Sequence, residues 1–264
     1  MHQVLENPSH CVSVGWTPAT KARYLYRAWR YRYRTEKREI AFLRKHLAPG
    51  QNCIDIGAHK GAFTYWMQAT VGRNGRVFAF EPQPELADYL ENAVRALAFA
   101  QVTVINAGLS SAAGTMQLFR PESSPSPSAT FEQSNQYDDG ETILAEVKTL
   151  DDFFETQPWR PIHFIKCDVE GHELNVFRGG ETLLREDRPI LLFESVVRHD
   201  PHGQKGQVFE FLSGLGYEGH FFCKEGIFPL SELRPEVHQN FDAKEYVYNF
   251  AFLPAERTPD ASAR

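Results

Sequence analysis

At 264 residues, 42% of them hydrophobic and 23% charged, the chain has the length and balance of one large globular α/β domain. A net charge of −6 excludes any general pull towards nucleic acid or an anionic membrane. The first 30 residues hold no apolar signal-peptide core and no run is long enough to span a bilayer, so the expected location is cytoplasmic.

The four cysteines, Cys11, Cys53, Cys167 and Cys223, are widely spaced and form no C-x-x-C pair. Free thiols in a reducing compartment are expected rather than disulfides or zinc ligands. Residues 1–35 are expected to form an N-terminal extension or lid ahead of a main domain at 36–254, with a flexible tail at 255–264. The stretch from Arg23 to Arg38 is dense in arginine and tyrosine. It reads as a helix whose aromatics pack on the domain while the arginines stay in water. The competing reading is a contact for sugar phosphate, lipid headgroup or RNA.

A helix is expected over about 36–47, where Ile40, Leu43 and Leu47 share a face and Pro49-Gly50 stops the run. Asn52-Cys-Ile-Asp-Ile56 reads as a buried strand. Phe63, Trp66, Met67 and Val71 then have helical spacing. Arg76–Phe80 is a second strand, Leu86 to Leu97 a second helical stripe, and Val102–Ile105 a third strand. This β-α-β-α-β rhythm predicts a doubly wound, mostly parallel sheet. Short strands are expected at 115–119 and 146–149. Between them, Pro121 to Ser128 is rich in serine and proline and reads as a mobile loop, part of an insertion at about 120–142. The rhythm resumes with strands at 162–168 and 189–193, helices at 172–178 and 206–215, and a closing antiparallel pair at 217–223 and 246–253. The sheet is expected to have seven strands, the last antiparallel.

The first strand ends in Asp55-Ile-Gly-Ala-His-Lys-Gly61. Gly57, Ala58 and Gly61 make a tight strand-to-helix turn with G-x-x-x-G spacing, not the G-x-G-x-x-G that cradles a pyrophosphate. The Asp55 carboxylate is unwelcome beside a dinucleotide phosphate but suits a cofactor carrying an ammonium and a sulfonium. Glu81, followed by Pro82, ends the second strand, where an acid can accept hydrogen bonds from both ribose hydroxyls. Asn106 and Ala107 follow the third strand, where an adenine would rest. The densest chemistry lies in Ile165-Lys-Cys-Asp-Val-Glu-Gly-His-Glu173. If the strand extends through them, Lys166, Asp168 and Glu170 share one side. Charges so packed must pair or touch ligand. Glu194 ends the next strand at the same edge.

These segments, with Val147-Lys-Thr-Leu-Asp151 and Phe193-Glu194, resemble the FkbM family of S-adenosylmethionine-dependent methyltransferases over about 36–253. The resemblance implies a Rossmann-like class I fold, S-adenosylmethionine as cofactor, and O-methylation of a hydroxyl on a sugar, glycolipid or sugar-bearing natural product. His59 departs from the Asn common at that turn position. A sugar hydroxyl needs a base, for which Asp168 and Glu170 are the candidates, Lys166 an orienting group and His172 an alternative base. A divalent metal on Asp168 and Glu170 would be another way to activate the hydroxyl. Three rivals remain: a nicotinamide-dependent oxidoreductase, which lacks its glycine pattern here; an RNA or DNA methyltransferase, disfavoured by the acidic chain; and a cofactor-binding scaffold without chemistry.

Overall fold

The computed structural model describes residues 16–121, 125–132, 140–195, 204–239 and 246–257. Cys11, most of the expected tail and parts of the 120–142 insertion lie outside the described residues.

Strand β1 (Asn52–Ile56) runs parallel to β2 (Arg76–Phe80) on one side and β7 (Ile162–Cys167) on the other. Their central residues are buried on both faces, which explains near-continuous apolar runs rather than alternation. Adding β3 (Val102–Ile105), β8 (Ile190–Glu194), β9 (Tyr217–Cys223), β10 (Gly226–Pro229) and β11 (Asn249–Pro254) gives the order β10-β9-β11-β8-β7-β1-β2-β3. The three late strands are antiparallel. Among the described residues the sheet thus has eight strands, not seven, because Lys224-Glu225 turns the chain back and Gly226–Pro229 pairs with Cys223–His220 as a hairpin. The winding direction reverses between β1 and β7, and open α/β sheets bind ligands at the carboxyl ends of strands flanking such a switch.

A smaller sheet joins β4 (Gly108–Leu109), β5 (Gly114–Arg120) and β6 (Glu141–Lys148). Its antiparallel pair is longer than the sequence pattern suggested; Leu118, Ala145 and Val147 are buried in a small core of its own, and Met116 and Ile143 pack against it half-buried.

The N-terminal segment is a helix, α1 (Pro18–Arg30), capped by the Thr17 hydroxyl. One wide π-turn over Tyr31–Thr35 leads into α2 (Lys37–His46). The buried face of α1 sits on α3 (Ala62–Val71): Trp66 donates its indole proton to Ala28 O at 2.8 Å and Tyr24 donates to Gly61 O at 3.0 Å. Helix α4 (Pro84–Leu97) starts on a proline at its first turn and buries Leu86, Leu90 and Ala93. The remaining described helices include α5 (Leu150–Glu155), α6 (Glu173–Arg178), α7 (Glu181–Asp187) and α8 (Gln204–Gly214). Thr149 caps α5, and the Asp151 carboxylate accepts from Thr182 and Leu183 to start α7.

Candidate active site

The turn after β1 passes Gly57, His59 and Gly61 through the left-handed region, with φ of 71°, 49° and 74°. A side chain on Gly57 would put its Cβ 1.9 Å from the Asp168 carbonyl oxygen. At Gly61 it would lie 2.5 Å from Leu90 Cδ1. The glycines therefore let protein approach protein as well as ligand: Gly57 draws the first turn against the loop after β7, and Gly61 seats α1 and α4. His59 bears a conformation that asparagine tolerates better.

Two backbone donors, Gly57 N and Ala58 N, reach Phe80 O at 3.0 Å each, tying the turn to the end of β2. Glu81 follows there, almost fully buried. Its Oε2 accepts from His59 N at 2.7 Å and its Oε1 from Gln83 N at 3.0 Å. Burial pushes its pKa up to about 7 against those hydrogen bonds. Asn106 donates to Glu81 O at 2.9 Å, so it braces the strand end. Neither Asn106, Ala107 nor Gly61 lines the cavity that opens here, whereas Asp55, Gly57, Ala58, Glu81 and Pro82 do.

That cavity holds about 240 Å³. Asp55 and Lys166 are register partners across β1 and β7 and both point into it. Asp55 Oδ2 accepts from Thr64 at 2.5 Å; its Oδ1 has no hydrogen-bond partner and stands 4.0 Å from Lys166 Nζ. Burial raises the Asp55 pKa, and Lys166 and Thr64 pull it back. Lys166 donates to Asp168 Oδ2 at 3.0 Å. Burial opposes its charge, but Asp168 and Asp55 outweigh it and hold the ammonium more firmly than usual.

Strand β7 ends at Cys167, so Asp168 and Glu170 do not continue its alternation. Instead Glu170 and Gly171 turn with positive φ, and Glu173 Oε1 accepts from Val169 N and Gly171 N. Lys166, Asp168 and Glu170 still reach the same cavity wall, as does Glu194 at the end of β8. The Glu194 carboxyl is pushed up to about 9 by burial and by Asp168, Glu170 and Glu36. His172 is placed elsewhere. Its ring is buried, with Nε2 2.9 Å from Ser110 Oγ and Nδ1 2.6 Å from Glu132 Oε1. Both nitrogens are taken and the side chain does not line the cavity, so the expectation of an alternative base is corrected: His172 is a brace.

Several wall residues were not anticipated. Tyr31, Glu36 and Glu39 come from the N-terminal helices, and Asn249 from β11. Asn249 Nδ2 donates to Glu36 Oε2 and Glu39 Oε1, both at 3.0 Å. Burial first, then Glu39 and Asp168, push Glu36 up to about 8. A signal existed: Glu36 and Glu39 share the helical face of Ile40 and Leu43, and carboxylates on an apolar face need a purpose. His59 also lines the cavity, its pKa pushed down to about 4 by burial and nearby cations.

Of the serine/proline stretch expected as a mobile loop, residues 122–124 lie outside the described residues, and 125–132 form a strap over this site. Gln83 Nε2 donates to Ser126 O and Ser126 N donates to Gln83 Oε1, each at 2.9 Å. Thr130 bridges to Phe119 and its hydroxyl donates to Glu170 O at 2.8 Å. Phe131 is buried in the small core. Side-chain amides and hydroxyls satisfy the backbone that helix or strand would otherwise satisfy. Among the described residues no three His, Cys, Asp or Glu side chains are grouped as metal ligands.

Residues 55–218, more than half of the chain, match the family model of the methyltransferase FkbM domain. Methyltransferase sdnD of Sordaria araneosa is 28% identical in an alignment covering 62% of this chain and 73% of that protein. Hexuronic acid methyltransferase AglP of Haloferax volcanii is 30% identical, covering 57% of this chain and 59% of its own length. Among solved structures, methyltransferase FkbM from Methylobacillus flagellatus KT aligns with a TM-score of 0.50 at 15% identity, covering 91% of this chain and 56% of that one. A putative rRNA-methylase from Clostridium thermocellum gives 0.51 at 12%, covering 83% and 94%. The chain thus spans under two thirds of AglP and of the Methylobacillus protein. At such identities the structural likeness concerns the fold.

Proposed function

The chain belongs to the FkbM methyltransferase family, and from that premise we propose that it moves a methyl group from S-adenosylmethionine to a hydroxyl of a sugar, glycolipid or glycosylated natural product. The observation that carries this reading is the convergence on one cavity of Asp55 and Glu81 with Lys166, Asp168, Glu170 and Glu194.

The donors present fit the cofactor. Glu81 is held by His59 N and Gln83 N yet retains acceptor capacity for ribose hydroxyls, and the orphaned Asp55 Oδ1 suits a cationic neighbour. When bound, S-adenosylmethionine supplies a methyl already activated on a sulfonium. The chain's own task is then to align an oxygen and take its proton. Lys166 fixes the Asp168 carboxylate at 3.0 Å, and Asp168 is the proton acceptor in this reading. Glu194 and Glu36, raised to about 9 and about 8, hold protons at neutral pH in the free site and serve as donors to acceptor oxygens. Glu170 shares the wall and would accept from a neighbouring hydroxyl.

AglP is named for a hexuronic acid, which supports a sugar acceptor. With Glu36 and Glu194 protonated, five other carboxyls in the cavity wall (Glu39, Asp55, Glu81, Asp168, Glu170) still stand against three cations (Arg27, Lys60, Lys166). That balance favours a neutral or cationic sugar over a free uronate.

Methyl incorporation into neutral, amino and uronic glycosides, read by mass spectrometry, tests the proposal. Expected is methylation of a neutral or amino sugar, with Asp168→Asn lowering kcat about 10²- to 10⁴-fold while S-adenosylhomocysteine still binds. Failure on every sugar, or full rates for Asp168→Asn, Glu170→Gln and Glu194→Gln alike, overturns it.

A further inference from the structure

The N-terminal helices carry a second surface that the methyl-transfer site does not use. Residues 16–38 hold eight cations, Lys21, Arg23, Arg27, Arg30, Arg32, Arg34, Lys37 and Arg38, and a single acid, Glu36, in a chain of net charge −6. Glu36 faces the cavity. On the outer side Arg23, Tyr26, Arg30, Tyr33, Arg34 and Lys37 follow one another at helical spacing and all are exposed. Tyr26, Trp29 and Tyr33 are 67%, 47% and 56% exposed, and they are the exposed large aromatics among the described residues. The aromatics expected to pack on the domain therefore divide: Tyr24 is buried, and these three meet solvent. Among the described residues Arg23, Arg30 and Arg34 enter no salt bridge.

We propose that this face docks the protein onto an anionic phospholipid surface. Trp and Tyr rings flanked by arginines are the chemistry of the membrane–water interface, where ring bodies enter the headgroup layer and cations meet phosphates. A planar surface fits better than a nucleic acid strand for two reasons. Arg23, Tyr26, Trp29, Arg30, Tyr33, Arg34 and Lys37 are all exposed along the N-terminal helices, and none lines the cavity. Trp29 and Tyr33 also stack on each other at 5.5 Å and 21°, and Trp29 meets Trp66 edge-on, which takes one face of each of the stacked rings from a base. The negative remainder of the chain orients the encounter, since this face is the one attracted to negative lipid. The inner side of the same segment lends Arg27 and Tyr31 to the cavity wall, so docking brings the site beside the bilayer.

Co-sedimentation of the full chain with phosphatidylcholine vesicles, with and without phosphatidylglycerol, tests the surface. Expected is binding to the mixed vesicles only, weakened by salt. Trp29→Ser with Tyr33→Ser, and separately Arg30→Glu with Arg34→Glu, should each lower the partition at least about tenfold. Melting curves of both variants should match the parent, which separates docking from folding. Absence of binding, equal binding to neutral vesicles, or variants that bind as the parent does overturns the proposal. So does preference for a single-stranded RNA oligonucleotide, self-association abolished by the aromatic substitutions, or vesicle binding that appears only after residues 1–15 are removed.

Discussion

Three carboxyls in the cavity wall keep their protons well above the usual carboxylate range: Glu81 to about 7, Glu36 to about 8 and Glu194 to about 9. In the unfolded chain each releases its proton near 4.5, the ordinary glutamate value. Between those limits the folded state binds more protons than the unfolded one, so stability is greatest below about 4.5 as far as these groups go and falls as pH rises. The ligand-free protein should lose roughly 5 °C or more of melting temperature between about pH 5 and 9, and Glu194→Gln should remove part of the slope. A flat or rising curve by calorimetry contradicts these protonation states. At this scale the place of Asp55 and Glu81 in the cavity wall was legible, because both stand at strand ends fixed by hydrophobic runs. His172 was not: its role depends on Ser110 and Glu132, 62 and 40 residues away. Asn249 escaped notice because its partners, Glu36 and Glu39, lie at the other end of the chain.

Two loops and a strap decide whether the elements meet as a site. Gly57→Ala would drive a methyl into the Asp168 carbonyl, 1.9 Å away, at a φ of 71° that alanine resists. The expected cost is about 2 kcal/mol or more, with loss of cofactor affinity, read by denaturant titration and calorimetry. Wild-type stability in that variant would mean that the loops do not abut. The paired amide contacts between Gln83 and Ser126 give a separate test. Gln83→Ala should speed amide hydrogen exchange at Ser126 and weaken cofactor binding about tenfold, with little change in exchange at β1. Unchanged exchange would show that the strap is held by Phe131 and Thr130 alone. Periodicity revealed the parallel strands and their helices because buried strands and amphipathic helices write their pattern locally. The strap and the β10 hairpin were hidden for the opposite reason: a proline-rich stretch docks through tertiary hydrogen bonds, and Gly226–Pro229 is short and half exposed.

For the whole molecule, the switch between β1 and β7 gathers residues from about 27 to 249 around one cavity. The winding order was legible from the β-α-β rhythm. An N-terminal extension or lid was expected over 1–35, but which of its residues reach the cavity was not legible, since the packing rests on contacts such as Tyr24 with Gly61 and Trp66 with Ala28. Among the described residues no helix is long and apolar enough to cross a membrane. The central claim is that Glu81 and Asp55 hold S-adenosylmethionine in this cavity. Calorimetric titration with S-adenosylhomocysteine, for the parent protein and for Glu81→Ala, tests it most directly. Micromolar binding in the parent, weakened roughly 100-fold or more in the variant, is the expected result. No binding by the parent, or equal affinity in both proteins, would contradict the cofactor site described for this chain.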